Sequence, residues 1–362
     1  MNTPGYLLLR ALRSPHVLPG LSQRDWDVLL CQAREGHVLA RLAFQLDALG
    51  ATGGLPPKVR DHLESAQVLA AEGERVVRWE VPLILRALAA ADVPVILLKG
   101  AAYIMAGLPP ARGRFCSDID ILVSRAKLKE VEEALLCEGW EMEGTNPYDE
   151  HYYRTWTHEL PPLVHRERGT VLDVHHNLTP TVGRVPVDAA ALLAAARPLG
   201  GKNLWVLAPA DMVLHCATHL FQDGEVDRAL RDLTDLDDLL RHFGADPGFW
   251  EGLAARARQL SLVTPLCHAL GARRDLLGAP PPDELTGALR AGGPGWPASR
   301  LVGASIRRAL LPGHPEPVRW GTGPARWLLY LRAHWQRMPL PLLTYHLARK
   351  GFAGLFAKPK AS

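Results

Sequence analysis

Two compact apolar runs, "VPVILLK" (93–99) and "DIDILV" (118–123), bracket a short helical pattern and a Pro/Gly turn, and they constrain the fold more than any other part of the chain. Short runs rich in Val, Ile and Leu and bounded by turn residues read as strands. The second run carries Asp118 and Asp120 within it. Strand side chains alternate between faces, so both aspartates point to one side while Ile119, Ile121 and Val123 point to the other. The apolar face can pack on helices while the acidic face opens on a cleft. The Cα atoms of two carboxylates one pleat apart lie roughly 6–7 Å from each other, close enough to converge on one divalent ion. Mg²⁺ suits such a pair, being a hard cation that takes oxygen ligands and bridges to phosphates. The same Asp-x-Asp spacing at Asp25/Asp27 and Asp235/Asp237 falls in helical patterns, where residues two apart do not share a face.

Two neighbouring features strengthen the reading. Upstream, the first strand ends in Lys99-Gly100 and runs into the helical pattern "AAYIMAG". A glycine at a strand-to-helix turn lets backbone N–H groups approach a phosphate, and a helix N-terminus favours its charge. Downstream, "VLDVHHNL" places Asp173 in another apolar strand, on the face opposite Leu172 and Val174.

Taken together, "LLKGAAYIMAGLPPARGRFCSDIDILV…VLDVHHNL" resembles the polymerase-β-type nucleotidyltransferase superfamily, in particular a bacterial family of uncharacterised nucleotidyltransferases. The shared features are the Gly turn, the D-h-D-h strand and a third acidic residue on a later strand. "VLHCATHL" and "LRDLTDLDDLL" extend the likeness into helices, over roughly residues 80–245. The resemblance implies an α+β fold with a small mixed β-sheet core flanked by helices. It implies that Asp118 and Asp120 hold Mg²⁺ or Mn²⁺ on a nucleoside triphosphate, and that Asp173 completes a second metal site and activates the acceptor. Nucleotide contacts would come from Lys99, Gly100, Ala101, Arg114 and Ser117. The usual Ser after the glycine, a phosphate ligand, is Ala101 here, which leaves the triphosphate to backbone amides and to Lys99 or Arg114. The implied reaction passes an NMP group from an NTP to an acceptor and releases pyrophosphate. A D-x-D glycosyltransferase fits less well, since it leaves the Lys-Gly-Ala turn and Asp173 unused. A non-catalytic nucleotide-binding or protein-interaction module of the same fold is the other alternative.

Several residues have both a functional and a plainer reading. His175 shares the face of Asp173 and is a candidate acceptor contact, whereas His176 reads as structural. His215 and His219, four apart on a helical pattern, have a spacing that can hold zinc, but no third ligand is evident. They read more simply as buried residues or as hydrogen-bonding groups at the cleft, His215 facing the acceptor. Arg231, with Asp232 and Asp235, either lines the acceptor pocket or belongs to an ion-pair network.

The organisation expected is an N-terminal helical segment (1–92), an α/β core (93–180), a helical substrate-side domain (181–275), and a Gly/Pro-rich linker with a basic C-terminal segment (276–362). Within the core, "WEMEG", "HYYRTWTHEL" and "TVLDVHHNL" read as strands. Helical spacing runs from Gln23 to Leu49 and from Val59 to Ala91, the latter disturbed by Pro82. The stretch from Val318 to Lys360 has no acidic residue and carries Trp320, Trp327 and Trp335 among its basic ones. It reads as tryptophans packed on the domain with arginines in water, or as a surface for nucleic acid or membrane. A formal net charge of +3 does not indicate a nucleic-acid partner. No run approaches the roughly 20 apolar residues of a membrane span. Five scattered cysteines without C-x-x-C spacing exclude a zinc ribbon and point to a reducing compartment, so a cytoplasmic location is expected.

Overall fold

In the computed structural model, which describes residues 7–143, 147–222, 227–290, 292–293, 295, 298–312, 321–341 and 343–344, the two apolar runs form adjacent strands, β1 (Val95–Leu97) and β2 (Asp118–Leu122). They belong to a seven-stranded sheet with β3 (Trp140–Met142), β4 (Leu163–His165), β5 (Val171–His175), β6 (Arg197–Pro198) and β7 (Leu204–Val206), in the order β3-β4-β5-β2-β1-β7-β6. The sheet is mixed. β2 runs parallel to β5 and β1 parallel to β7, while β1/β2, β3/β4, β4/β5 and β6/β7 are antiparallel. The fold is α+β, with helices on both sides of the sheet sequence and a C-terminal helical region.

β2 shows why the alternation matters. Ile119, Ile121 and Val123 are fully buried in the apolar core, which also takes Leu172 and Val174 from β5. Helix Pro57–Ala87 packs against helices Leu39–Ala48, Lys99–Met105 and Leu128–Cys137, contributing Val77, Val81 and Ile84 to the core. It passes through Pro82, which lies on its exposed side. Beyond the sheet, helix Pro209–Gln222 is the hub of the second helical group, packing on helices Ala229–Phe243, Phe249–Gln259, Val263–Ala272 and Thr322–Arg337.

Four local expectations change. The stretch from Gln23 to Leu49 is two helices, Gln23–Glu35 and Leu39–Ala48, because His37 takes a left-handed φ of 55° between them. "HYYRTW" is part of helix Pro147–Trp156 rather than a strand. There the Tyr152 and Trp156 rings meet one turn apart, Arg154 pairs with Glu150 and with Glu132, and the Thr157 hydroxyl donates to Tyr153 O to close the helix. The short strands β6 and β7 come from a stretch that reads as helical after Thr179, and the Gly/Pro-rich stretch contains helix Asp283–Leu289. Of the basic C-terminal stretch, helix Thr322–Arg337 leaves Trp327 64% exposed, whereas the Arg184 guanidinium stacks 3.9 Å from the Trp335 ring centroid. Trp320 and the residues from 345 onward lie outside the described ones.

Candidate active site

The parallel pairing of β2 and β5 brings the acidic residues together. Asp120 stands directly across from Asp173, Asp118 is one pleat away across from Val171, and Leu122 faces His175. The period of two therefore sets Asp118, Asp120, Asp173 and His175 on one face of the sheet. Asp120 is almost fully buried, while Asp118 and Asp173 are half-buried.

Lys99 and His175 close on Asp120. Lys99 Nζ lies 2.7 Å from Asp120 Oδ1, and His175 Nε2 lies 3.0 Å from the same oxygen. Burial alone would raise the Asp120 pKa, but the two cations hold it well below the usual carboxylate range. Asp173 goes the other way. Burial, followed by the charge of Asp120, pushes it up to about 7. His175 is raised despite its burial, because Asp120 and Glu159 both favour the imidazolium. The far ring nitrogen, Nδ1, lies 3.2 Å from Glu159 Oε2.

The turn after β1 is built differently from the expectation. The residue with positive φ is Lys99, at 45°, and Gly100 already lies in the first turn of helix Lys99–Met105. Gly100 is nevertheless required, because a Cβ there would overlap Arg114 Nη1 and Cys116 Sγ. Ala101 is buried in the same turn. Arg114 differs most from its expected role at a phosphate. It is buried, its Nε donates to Asp235 Oδ2 at 2.7 Å, and its guanidinium also faces Asp232 at 4.0 Å. Asp235 in turn takes Arg41 Nη2 at 2.8 Å, and Arg41 also pairs with Asp238. These residues tie helix Leu39–Ala48, the loop before β2 and helix Ala229–Phe243 together inside the protein.

Ser117 is exposed, and its hydroxyl donates to Asp118 Oδ1 at 3.2 Å. Arg231 is spent locally, with Nε and Nη2 on Asp232 Oδ1 at 2.9 and 2.8 Å. His219 Nδ1 lies 3.4 Å from Asp232 Oδ2, and its ring meets His215 edge-on at 6.3 Å. His215 is buried, and burial together with the nearby Lys99 charge depresses its pKa well below the ordinary histidine value. The Asp120 charge acts on it in the opposite sense, so it lies within electrostatic reach of that carboxylate. A groove of about 150 Å³ opens beside Asp118, lined by Val76, Cys116, Ser117, Arg168 and Thr170 among others.

Glu159 and His158 escaped the sequence reading. They precede β4 in a segment whose backbone bridges β5: Glu159 pairs with His175, and His176 N donates to His158 O at 2.8 Å. The one available signal was a His-Glu pair directly after an aromatic cluster, which read as strand.

In chemistry, though not in spacing as they stand, the three aspartates suit a hard divalent cation: their ligand atoms do not all lie within 4.8 Å of one another. They offer only oxygen donors, and the charges of Asp120 and Asp118 both raise the proton affinity of Asp173, a repulsion that a cation would relieve. A cation held there would compete with Lys99 for Asp120.

The model of the family described as "Uncharacterised nucleotidyltransferase" matches residues 22–278, and the chain belongs to that family. Membership supports a general nucleotidyltransferase function and implies a nucleotide substrate. No curated protein and no solved structure matches the chain. No helix among the described residues is long and apolar enough to cross a membrane.

Proposed function

We propose that this protein is a Mg²⁺-dependent nucleotidyltransferase that moves an NMP group from an NTP to an acceptor and releases pyrophosphate. The observation that carries the reading is the pairing of Asp120 with Asp173 across parallel strands, with Asp118 on the same face and Lys99 on Asp120. Asp118 and Asp120 would hold Mg²⁺, or Mn²⁺, on the triphosphate, with Asp173 completing the site. The ion when bound supplies charge stabilisation to the attacking and leaving oxygens.

The chain's own groups have distinct tasks. Asp173 would take a proton from the acceptor as its oxygen or nitrogen attacks the α-phosphorus. The bond between that phosphorus and the bridging oxygen breaks, and pyrophosphate leaves with the electron pair. Lys99 is the cation nearest the aspartates and balances phosphate charge once it leaves Asp120. The buried His215 and the groove beside Asp118 are candidates for the acceptor side.

The test is transfer of label from α-labelled NTPs, in the presence of Mg²⁺, to size-fractionated small-molecule, protein and RNA pools. Transfer that requires Mg²⁺ and is lost in Asp173→Asn supports the reading. Absence of transfer to every pool, by protein that binds NTPs, contradicts it. That result would favour a non-catalytic nucleotide-binding module, a reading that the lack of a hydroxyl at the buried Ala101 supports.

A further inference from the structure

On the far side of His175 from Asp120 lies a second set of donors. Among the described residues, the one group of three His, Cys, Asp or Glu side chains whose ligand atoms all lie within 4.8 Å of one another is His158, Glu159 and His175. It is separate from the three aspartates in composition, because two of its donors are imidazoles. Imidazole with one carboxylate suits zinc and its transition-metal neighbours, whereas Mg²⁺ and Ca²⁺ favour all-oxygen sites.

We infer that His158, Glu159 and His175 form a transition-metal site, selective for Zn²⁺ over Mg²⁺, with Asp120 as the carboxylate that orients His175. Three geometric observations support it. First, zinc bonds of about 2.0–2.1 Å in a tetrahedron put neighbouring donors about 3.3–3.4 Å apart. His175 Nδ1 and Glu159 Oε2 are already 3.2 Å apart, the length of one edge. Second, a histidine that binds metal through one ring nitrogen usually donates the other N–H to a carboxylate, which fixes the tautomer. His175 Nε2 does this to Asp120 Oδ1 at 3.0 Å. Third, the donors are carried on paired backbone. The Glu159–His175 bridge, the His176 N to His158 O bond and the Leu160 N to Val174 O bond at 2.9 Å hold the segment against β5. The Thr157 hydroxyl accepts from Glu159 N at 3.3 Å and stiffens the turn from the other side.

The donor set leaves a fourth position for water or a substrate group, and Glu159 keeps 27% of its side chain exposed as a route for the ion. Binding would expel the proton between His175 Nδ1 and Glu159, leaving a neutral imidazole with its remaining proton on Nε2. The His175–Asp120 contact then joins this site to the acidic face, so the state of one site is felt at the other.

The test of this site needs no NTP. Full-length protein is stripped with a chelator and titrated with Zn²⁺ alone against a chromogenic zinc indicator, with Co²⁺ as a spectroscopic substitute. One Zn²⁺ per chain is expected in the wild type and in Asp118→Asn. Tetrahedral Co²⁺ absorption should appear, and excess Mg²⁺ should not displace the ion. Glu159→Gln, which keeps the shape of the side chain, and His158→Ala should each weaken binding by tenfold or more. If His158→Ala does not fold, Glu159→Gln decides. Unchanged zinc affinity in Glu159→Gln would overturn the proposal, as would zinc lost in Asp118→Asn, which would put the ion on the aspartates.

Discussion

Gly100 lies directly over the guanidinium of Arg114, so close that a methyl group at residue 100 would overlap Nη1. The glycine after β1 thus serves an internal packing need. It admits Arg114 to Asp235, and through Asp235 to Arg41, at the junction of three helical and loop segments. Any use of its backbone by a substrate rests on top of that requirement.

Gly100→Ala should therefore destabilise the fold even without ligand. The added Cβ must push Arg114 or Cys116, and overpacking of this kind costs about 1–3 kcal/mol. Removing the cation altogether in Arg114→Met should cost more, about 3 kcal/mol, because the buried Asp235 keeps Arg41 but loses its second partner. Urea denaturation of the two variants checks the order. A Gly100→Ala protein as stable as the wild type would mean that the loop before β2 moves freely.

Asp118→Asn should separate binding from folding. Asp118 is half-buried and the hydrogen bond from the Ser117 hydroxyl is its neighbouring tie, so stability should change by no more than about 0.5 kcal/mol. Mg²⁺-dependent transfer, in contrast, should fall on the order of 10²-fold or more with the loss of a charge that holds the ion. Equal losses of stability and activity would count against the assignment.

Lys99 carries a left-handed φ of 45° that a β-carbon disfavours. Lys99→Gly and Lys99→Ala both remove the ammonium from Asp120, so their difference reports the backbone alone. Lys99→Gly should be more stable than Lys99→Ala by about 1 kcal/mol, with NTP binding weakened alike in both. Equal unfolding midpoints would show that the strain is not held at this residue.

The acid dependence of stability should include two buried histidines to which the transfer chemistry gives no role. Burial, aided by Arg332, lowers His268 to about 4, and burial, aided by Arg125, lowers His176 to about 4. The folded state thus binds fewer protons than the unfolded one, and each group's contribution is complete above about pH 6.5 and is lost as pH falls toward 4. At about 1.4 kcal/mol per pH unit the loss is about 3 kcal/mol per group. His268→Asn should flatten the stability curve between pH 6.5 and 4 by about one proton's slope. An unchanged slope relative to wild type would contradict the burial argument.

The legible part of the site was the part written in strand period. Asp118, Asp120 and Asp173 interrupt apolar runs at even spacing, and the face they share follows from that spacing alone. The partners of Arg114 were not legible, since Asp235 lies 121 residues on and only tertiary packing aligns them. Glu159 was hidden for a related reason: its meeting with His175 depends on a single antiparallel bridge after a helix that read as strand. Its aromatic residues suit either state, and the one-turn pairs of Tyr152 with Trp156 and of Arg154 with Glu150 decided for helix. β6 and β7, at two and three residues, are too short for any alternation to register.

The most direct measurement is calorimetric binding of NTPs with and without Mg²⁺ to the wild type and to Asp118→Ala/Asp120→Ala. The account predicts NTP binding that requires Mg²⁺ and disappears in the double variant while the protein stays folded. Mg²⁺-independent binding that survives the double variant, or binding of sugar nucleotides alone, would contradict it.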